Sequence, residues 1–304
     1  GAAIDASAKK PEPVKLLPPP NLAAMPERFE RPLVRFALPT EQATVRVQVA
    51  QDEAFERIVS DTRAAPGSDV RIGGLDDARW FLRARRLDAQ GIEGYDAVRP
   101  FVLKARPEPP ASNTPRAGGK QSLAPVEFKW SSNLEAKTAR LQVARDERFQ
   151  DIVAERDGLE GNKLTLDLGG AGVYYWRLAS TRADGDKGPF GDAQRFELRP
   201  LPEPPQGGLG GDGKTLALAW SGRPQDTQHV ELARDAQFKD IVAQADLNTT
   251  EWNLPRPSQG GTYYFRYRSI EPDGFVGPYS SPLVIEVPRD WRFLWLLAPL
   301  LLAL

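Results

Sequence analysis

The sequence predicts an all-β chain of three tandem two-sheet sandwiches, followed by a short hydrophobic C-terminal helix. Three observations carry this. The chain of 304 residues contains three copies of one unit of about 90 residues, at 33–105, 126–199 and 216–287. Within each copy apolar residues alternate with polar ones, the period of a half-buried strand. Pro (28) and Gly (26) are frequent, which favours many short elements and turns over long helices.

The repeat shows most clearly in AQDEAFERIV (50–59), ARDERFQDIV (144–153) and ARDAQFKDIV (233–242). Phe36, Trp130 and Trp220 stand 19, 19 and 18 residues before Phe55, Phe149 and Phe238. Arg83, Arg177 and Arg266 follow that Phe by 28 residues in every copy. Gly91, Gly185 and Gly274 come 8 residues after the Arg, and Gly94, Gly188 and Gly277 come 3 residues later. A period of about 90 exceeds the roughly 20–50 residues of solenoid repeats, so each copy is expected to carry its own core.

The strands are read in order. Val45, Val47 and Val49 alternate with Arg46 and Gln48. Ala139, Leu141 and Val143 alternate with Arg140 and Gln142, and Val230 and Leu232 with His229 and Glu231. LTLDL (164–168), FELR (196–199), LALAW (216–220) and PLVIEV (282–287) are further strands, with DGDKG (184–188) and PDG (272–274) as turns. The A-x-D-x-x-F string reads as a strand end, a turn and another strand, with the Phe plugging the sheet edge. The joints RPEPP (106–110) and RPLPEPP (199–205) are stiff, because Pro cannot donate to a ladder. The stretches 111–122 and 206–213 are looser and are expected at edge strands or surface loops. The division is therefore 1–24 as a Pro-rich connector, sandwiches at 25–106, 107–200 and 201–288, and a tail at 289–304. The absence of an apolar leader, a start at Gly1 and a single Met25 read as a processed chain or a fragment, with something preceding it.

The early Trp (Trp130, Trp220), Leu168, Gly172 and Tyr174 in the order L-x-x-x-G-x-Y, the alternation Tyr174-Trp176-Leu178, then Gly185 and GPF (188–190), resemble a fibronectin type III domain. GTYYFRY (261–267) and GPYSSP (277–282) continue the resemblance in copy three. It implies three immunoglobulin-like sandwiches over about 250 residues. It also implies that Tyr174 and Tyr263 each close a corner by hydrogen-bonding backbone. Trp80 replaces that Tyr in copy one, so the corner there is expected to lack the hydroxyl. With Phe36 in place of the Trp, copy one is the most divergent. KKPEPVKLLPPPNL (9–22), together with the A-x-D-x-x-F-x-x-I-V string, resembles the C-terminal region of bacterial envelope proteins that carry LysM and FecR domains upstream. Two alternatives stand beside this: the periplasmic ectodomain of a sensor kinase, and an accessory module of a secreted carbohydrate-active enzyme.

Composition argues against catalysis by this chain. There is no Cys, so no thiol nucleophile or Cys-ligated metal, and the one His (His229) rules out a multi-His metal site. No phosphate-binding loop, nucleophile elbow or dinucleotide fingerprint is present, and no metal or cofactor is predicted. A net charge of −1 lacks the basic excess of a nucleic-acid binder. Asp52, Asp146 and Asp235 read as turn residues bonding their own backbone. DGDKG lacks the later Glu of a calcium loop. Asn248-Thr249-Thr250 is a glycosylation pattern that matters only in a host that glycosylates secreted proteins.

One repeated surface feature remains. If Tyr174, Trp176 and Leu178 face the core, Tyr175 and Arg177 face out, with Arg140 on the neighbouring strand. Tyr264 and Arg266 face out in copy three, as does Arg83 in copy one. Arg83, Arg140, Tyr175, Arg177, Tyr264 and Arg266 are therefore either a binding strip for protein or cell-wall glycan, or a sheet face stabilised by cross-strand pairs. The strand phase predicts Arg83, Arg177 and Arg266 exposed, with substitution of Arg177 costing under about 1 kcal/mol.

The tail RDWRFLWLLAPLLLAL (289–304) is almost wholly apolar from Phe293. Trp291 and Trp295 with flanking Arg289 and Arg292 resemble an interfacial belt, and twelve apolar residues fall short of the roughly 20 that span a bilayer. The expectation is a helix from 291 that attaches an extracytoplasmic, periplasmic chain to a membrane.

Overall fold

The computed structural model describes residues 2–4, 13–38, 42–131, 134–211 and 213–289. All regular structure among them is β. The tail from 290 onward, with its expected helix, lies outside the described residues. Among those described, no helix is long and apolar enough to cross a membrane.

The middle unit shows the plan. One sheet orders Ser112–Thr114, Val126–Trp130 and Lys163–Leu166. The other runs Gly119–Ser122, Gln194–Arg199, Gly172–Thr181, Thr138–Ala144 and Ile152–Leu159, with Lys187–Phe190 folded onto Gly172–Thr181. The third unit repeats it: Gln206–Leu209, Thr215–Ala219 and Glu251–Pro255 face Ile241–Leu247, Thr227–Ala233, Gly261–Ile270 and Leu283–Val287. The first unit keeps the larger sheet but reduces the smaller to Val34–Ala37 paired with Asp69–Ile72. Each unit is thus a two-sheet β-sandwich.

The cores follow from the strand phase. Alternate side chains enter the space between the sheets because a strand turns each successive residue to the opposite face. Trp130, Tyr174, Trp176 and Leu178 are buried in the middle unit, and Trp220, Tyr263, Phe265 and Tyr267 in the third. Among the described residues three hydrophobic clusters form, one per unit, with no residue shared between them.

One expectation needs revision. The connector 1–24 is not wholly a spacer. Leu22 is buried in the first core, the Tyr95 N–H donates to the Leu17 carbonyl at 3.0 Å, and Arg86 donates to the Pro18 carbonyl at 3.0 Å. Ala2–Ile4 pairs antiparallel with Pro13–Lys15.

The corner in the first unit lacks the hydroxyl, as the sequence implies, and an indole N–H supplies the hydrogen bond in its place. Tyr174 donates to the Gly170 carbonyl at 2.9 Å and Tyr263 to the Gln259 carbonyl at 2.8 Å, each four residues back. Trp80 donates its indole N–H to the Asp76 carbonyl, also four residues back, at 3.0 Å. An indole is a donor only, and donation is all that the corner requires.

The repeated Phe does not lie between the sheets. Phe55, Phe149 and Phe238 are buried but stand outside the three core clusters. Each sits in the left-handed region, at φ 59°, 58° and 56°, which is rare for a bulky residue. The backbone reversal lays the ring over the outer face of the larger sheet.

Candidate functional site

The turn that carries this Phe is built by the repeated Asp. Asp146 accepts from the N–H groups of Arg148, Gln150 and Asp151 at 2.9, 2.9 and 2.6 Å. Asp235 repeats the pattern with Gln237, Lys239 and Asp240, and Asp52 with Glu56 and Arg57. These backbone N–H groups hold all three carboxylates below the ordinary aspartate pKa. The recurrent Asp is a turn residue with its acceptors occupied.

Above the turn stands the recurrent Arg. The Arg177 guanidinium carbon is 3.8 Å from the Phe149 ring centroid and 4.4 Å from that of Phe190. Its Nε and Nη2 donate to Gln142 Oε1 at 2.9 and 2.7 Å. Arg266 faces Phe238 at 3.8 Å and Tyr279 at 3.7 Å, and donates to Glu231 at 2.8 Å. Arg83 faces Phe55 at 4.3 Å and donates to Gln48 at 2.7 Å. In the first unit Asp96 occupies the position of Phe190 and Tyr279, and it pairs with Arg85.

The strand phase is as read, but the exposure is not. Arg83 and Arg266 are 17% and 24% exposed at the side chain, and Arg177 is half-buried. Gln48, Gln142 and Glu231, on the same outer face, are buried. The cause is the Phe, which roofs a face that would otherwise meet solvent. Burial pulls the pKa of Arg83 and Arg177 down from the ordinary value. Burial pushes Glu231 up, but the Tyr279 hydroxyl and Arg266 outweigh it and hold the carboxyl below its ordinary range.

Arg140 faces Phe190 at 5.0 Å and pairs with Asp157 at 3.4 Å. Tyr175 and Tyr264 are half-buried, two positions before the stacked Arg on the same strand face. His229 bonds Asp246 at 2.6 Å and Glu231 at 3.3 Å. Ring faces and guanidinium donors in this strip are largely engaged with one another. Among the described residues, no group of three His, Asp or Glu could hold a metal ion.

A second constellation lies at the joints, and the repeat analysis missed it. Between the first and second units, Lys104 donates to Asp186 at 2.9 Å, to Asp77 at 3.2 Å and to the Arg106 carbonyl at 2.6 Å. Asp77 also accepts the N–H groups of Ala105 and Arg106 at 2.7 and 3.0 Å. Between the second and third units, Glu271 receives Lys120, Arg199 and Arg223, each at 2.7 Å. Glu271 is only 7% exposed. Burial raises its pKa, and Lys120, Arg199 and Arg223 more than reverse this, so the carboxyl lies below the ordinary glutamate value. These residues are not shared among the three copies: Glu271 aligns with Arg182 and Asp88. The available signal was their position in turns beside the Pro-rich joints.

Beside the second joint is a cavity of 510 Å³ lined by Pro200, Leu201, Tyr267, Phe275, Gly277 and Pro278, with Arg223, Asp226 and Glu271 among its charged groups.

No family model matches the chain, and no curated protein matches it. Among solved structures, the chicken CNTN1 FN1-FN3 domains align over 84% of this chain and 98% of theirs, at 12% identity and a TM-score of 0.32. The Clostridium thermocellum CbhA fibronectin(III)-like modules align over 58% of this chain and 93% of theirs, at 9% identity and a TM-score of 0.31.

Proposed function

We propose that the chain is a non-catalytic scaffold, a rod of fibronectin type III-like domains held in set relative orientations within an extracytoplasmic, FecR/LysM-type cell-envelope protein. The observation that supports this best is the pair of charged joints. Lys104 with Asp186, and Lys120 and Arg199 with Glu271, bridge consecutive units beside stiff Pro-rich connectors. Freely hinged beads need no such bridges, since inter-domain motion is the default unless an interface opposes it. In this reading membrane attachment comes from the tail 289–304, and the partners are protein or cell-wall glycan.

The test is a distance distribution between spin labels on the outer units. The chain has no cysteine, so Glu56→Cys and Lys239→Cys, both at exposed positions, label without background. A single narrow distribution is expected at neutral pH. A broad one would show independent beads and sink the scaffold reading.

A further inference from the structure

In all three units the segment entering from the N-terminal side approaches the hairpin that carries the second repeated Gly. At Gly94 an added Cβ would lie 2.6 Å from the Leu17 carbonyl oxygen, and at Gly188 it would lie 1.9 Å from that of Pro107. A proline-containing segment, Leu17–Pro18 in the first unit and Arg106-Pro107-Glu108 in the second, is therefore seated directly on the glycine. At Gly277 an added Cβ meets only its own hairpin, at Ser269, 3.4 Å away. The seat in the third unit is the 510 Å³ cavity.

One sequence difference opens it. The two joints are equally long, KARPEPP (104–110) and RPLPEPP (199–205), counted from the equivalent residues Phe101 and Phe196, but Tyr267 stands where the middle unit has Leu178. In the middle unit Ser180 donates to the Glu108 carbonyl at 2.6 Å. In the third unit the Tyr267 hydroxyl reaches the Glu203 carbonyl at 2.9 Å and props the connector away from Gly277. Leu201 is 55% exposed at the mouth. The charged groups at the rim are paired, Arg223 with Asp226 at 3.0 Å and with Glu271 at 2.7 Å, and beside Ser221 and Ser269 the lining is made of Pro200, Leu201, Tyr267, Phe275 and Pro278. Its volume falls within the roughly 300–1,000 Å³ typical of ligand sites.

We propose that this cavity binds an extended Leu/Pro-rich segment of a partner protein, seated on Gly277 as Leu17–Pro18 and Pro107 are seated on Gly94 and Gly188. The proposal rests on the scaffold reading and names the class of partner. Polyproline segments dock into aromatic-lined grooves at low ordering cost, because their backbone is already extended.

The experiment uses the full chain and a fluorescein-labelled peptide of residues 14–22, VKLLPPPNL, read by anisotropy. Saturable binding is expected. It should weaken at least about tenfold when the three peptide prolines become alanine, and by a similar factor in Gly277→Leu, which fills the seat. Leu201→Asp, at an exposed position that cannot unfold a core, should give the same direction of loss if Gly277→Leu fails to fold. No saturable binding at millimolar peptide, or binding unchanged in the variants, overturns the proposal. Concentration-dependent self-association of the unlabelled chain, abolished by Gly277→Leu, would make a second copy the occupant and overturn the partner assignment. Absent peptide binding with a narrow interspin distance leaves the scaffold standing. Peptide binding with a broad distance does the reverse.

Discussion

Arg177 covers the ring of Phe149 at 3.8 Å, and the two residues are held by opposite devices. Phe149 is turned back over the sheet by a left-handed backbone, while Arg177 is pinned to Gln142 by two hydrogen bonds. The spacing of 28 residues that recurs in all three copies is the spacing of this contact. Arg83 with Phe55 and Arg266 with Phe238 repeat it.

Substituting Arg177 should therefore cost more than a surface change. Arg177→Ala removes a partly desolvated cation–π contact, worth about 0.5–2 kcal/mol, and leaves buried Gln142 without its donor, at about 1 kcal/mol or more. A loss of roughly 1–3 kcal/mol is expected in chemical denaturation of the middle unit. Arg177→Lys should recover only part of it, because an ammonium lacks the planar fork that stacks and donates together. A loss below the error of the measurement would mean that the contact contributes nothing net.

The separate cores predict separate unfolding. Trp130→Ala should cost the middle unit about 3–5 kcal/mol, as for other large buried rings. The third unit, whose core shares no residue with the second, should melt near its original temperature. Calorimetry resolves the two transitions, and an equal downward shift of both would contradict independent cores.

Two glycines at equivalent positions should respond oppositely to alanine. A Cβ on Gly188 would lie 1.9 Å from the Pro107 carbonyl oxygen, a backbone atom that cannot rotate away, whereas on Gly277 the nearest atom is 3.4 Å distant. Gly188→Ala should destabilise by about 1–3 kcal/mol, the range for overpacking, and should loosen the first joint. Gly277→Ala should be nearly neutral. Thermal melts of both variants measure the contrast.

The second joint should be sensitive to acid. The Glu271 carboxyl lies below its ordinary value in the folded chain, so its bridges are fully present above the unfolded-state pKa of about 4.3. They are lost progressively as the pH falls from there through the depressed folded value. Interspin distances across the joint should stay narrow from neutral pH to about pH 5 and broaden below about pH 4. Glu271→Gln should be broad throughout and show little pH dependence. A joint that keeps a narrow distribution in Glu271→Gln would show that the connector alone sets the orientation.

The alternation of residues such as Tyr174, Trp176 and Leu178 determined by itself which side of each strand is buried, because a pleated strand can place only alternate side chains in one core. Copy number was legible from the spacing of the repeat, and the turn role of Asp146 from its local pattern. Exposure of the outer face was not. The phase placed Arg177 outward, but only the folded turn brought Phe149 across the sheet to cover it. Nor was the joint legible, since Lys120 and Glu271 are 151 residues apart and belong to no repeat. Their meeting depends on how one unit is set against the next. With joints of equal length, Tyr267 in place of Leu178 accompanies the change from a filled seat to a cavity, because the way a connector crosses a sandwich is decided by contacts that no periodicity records.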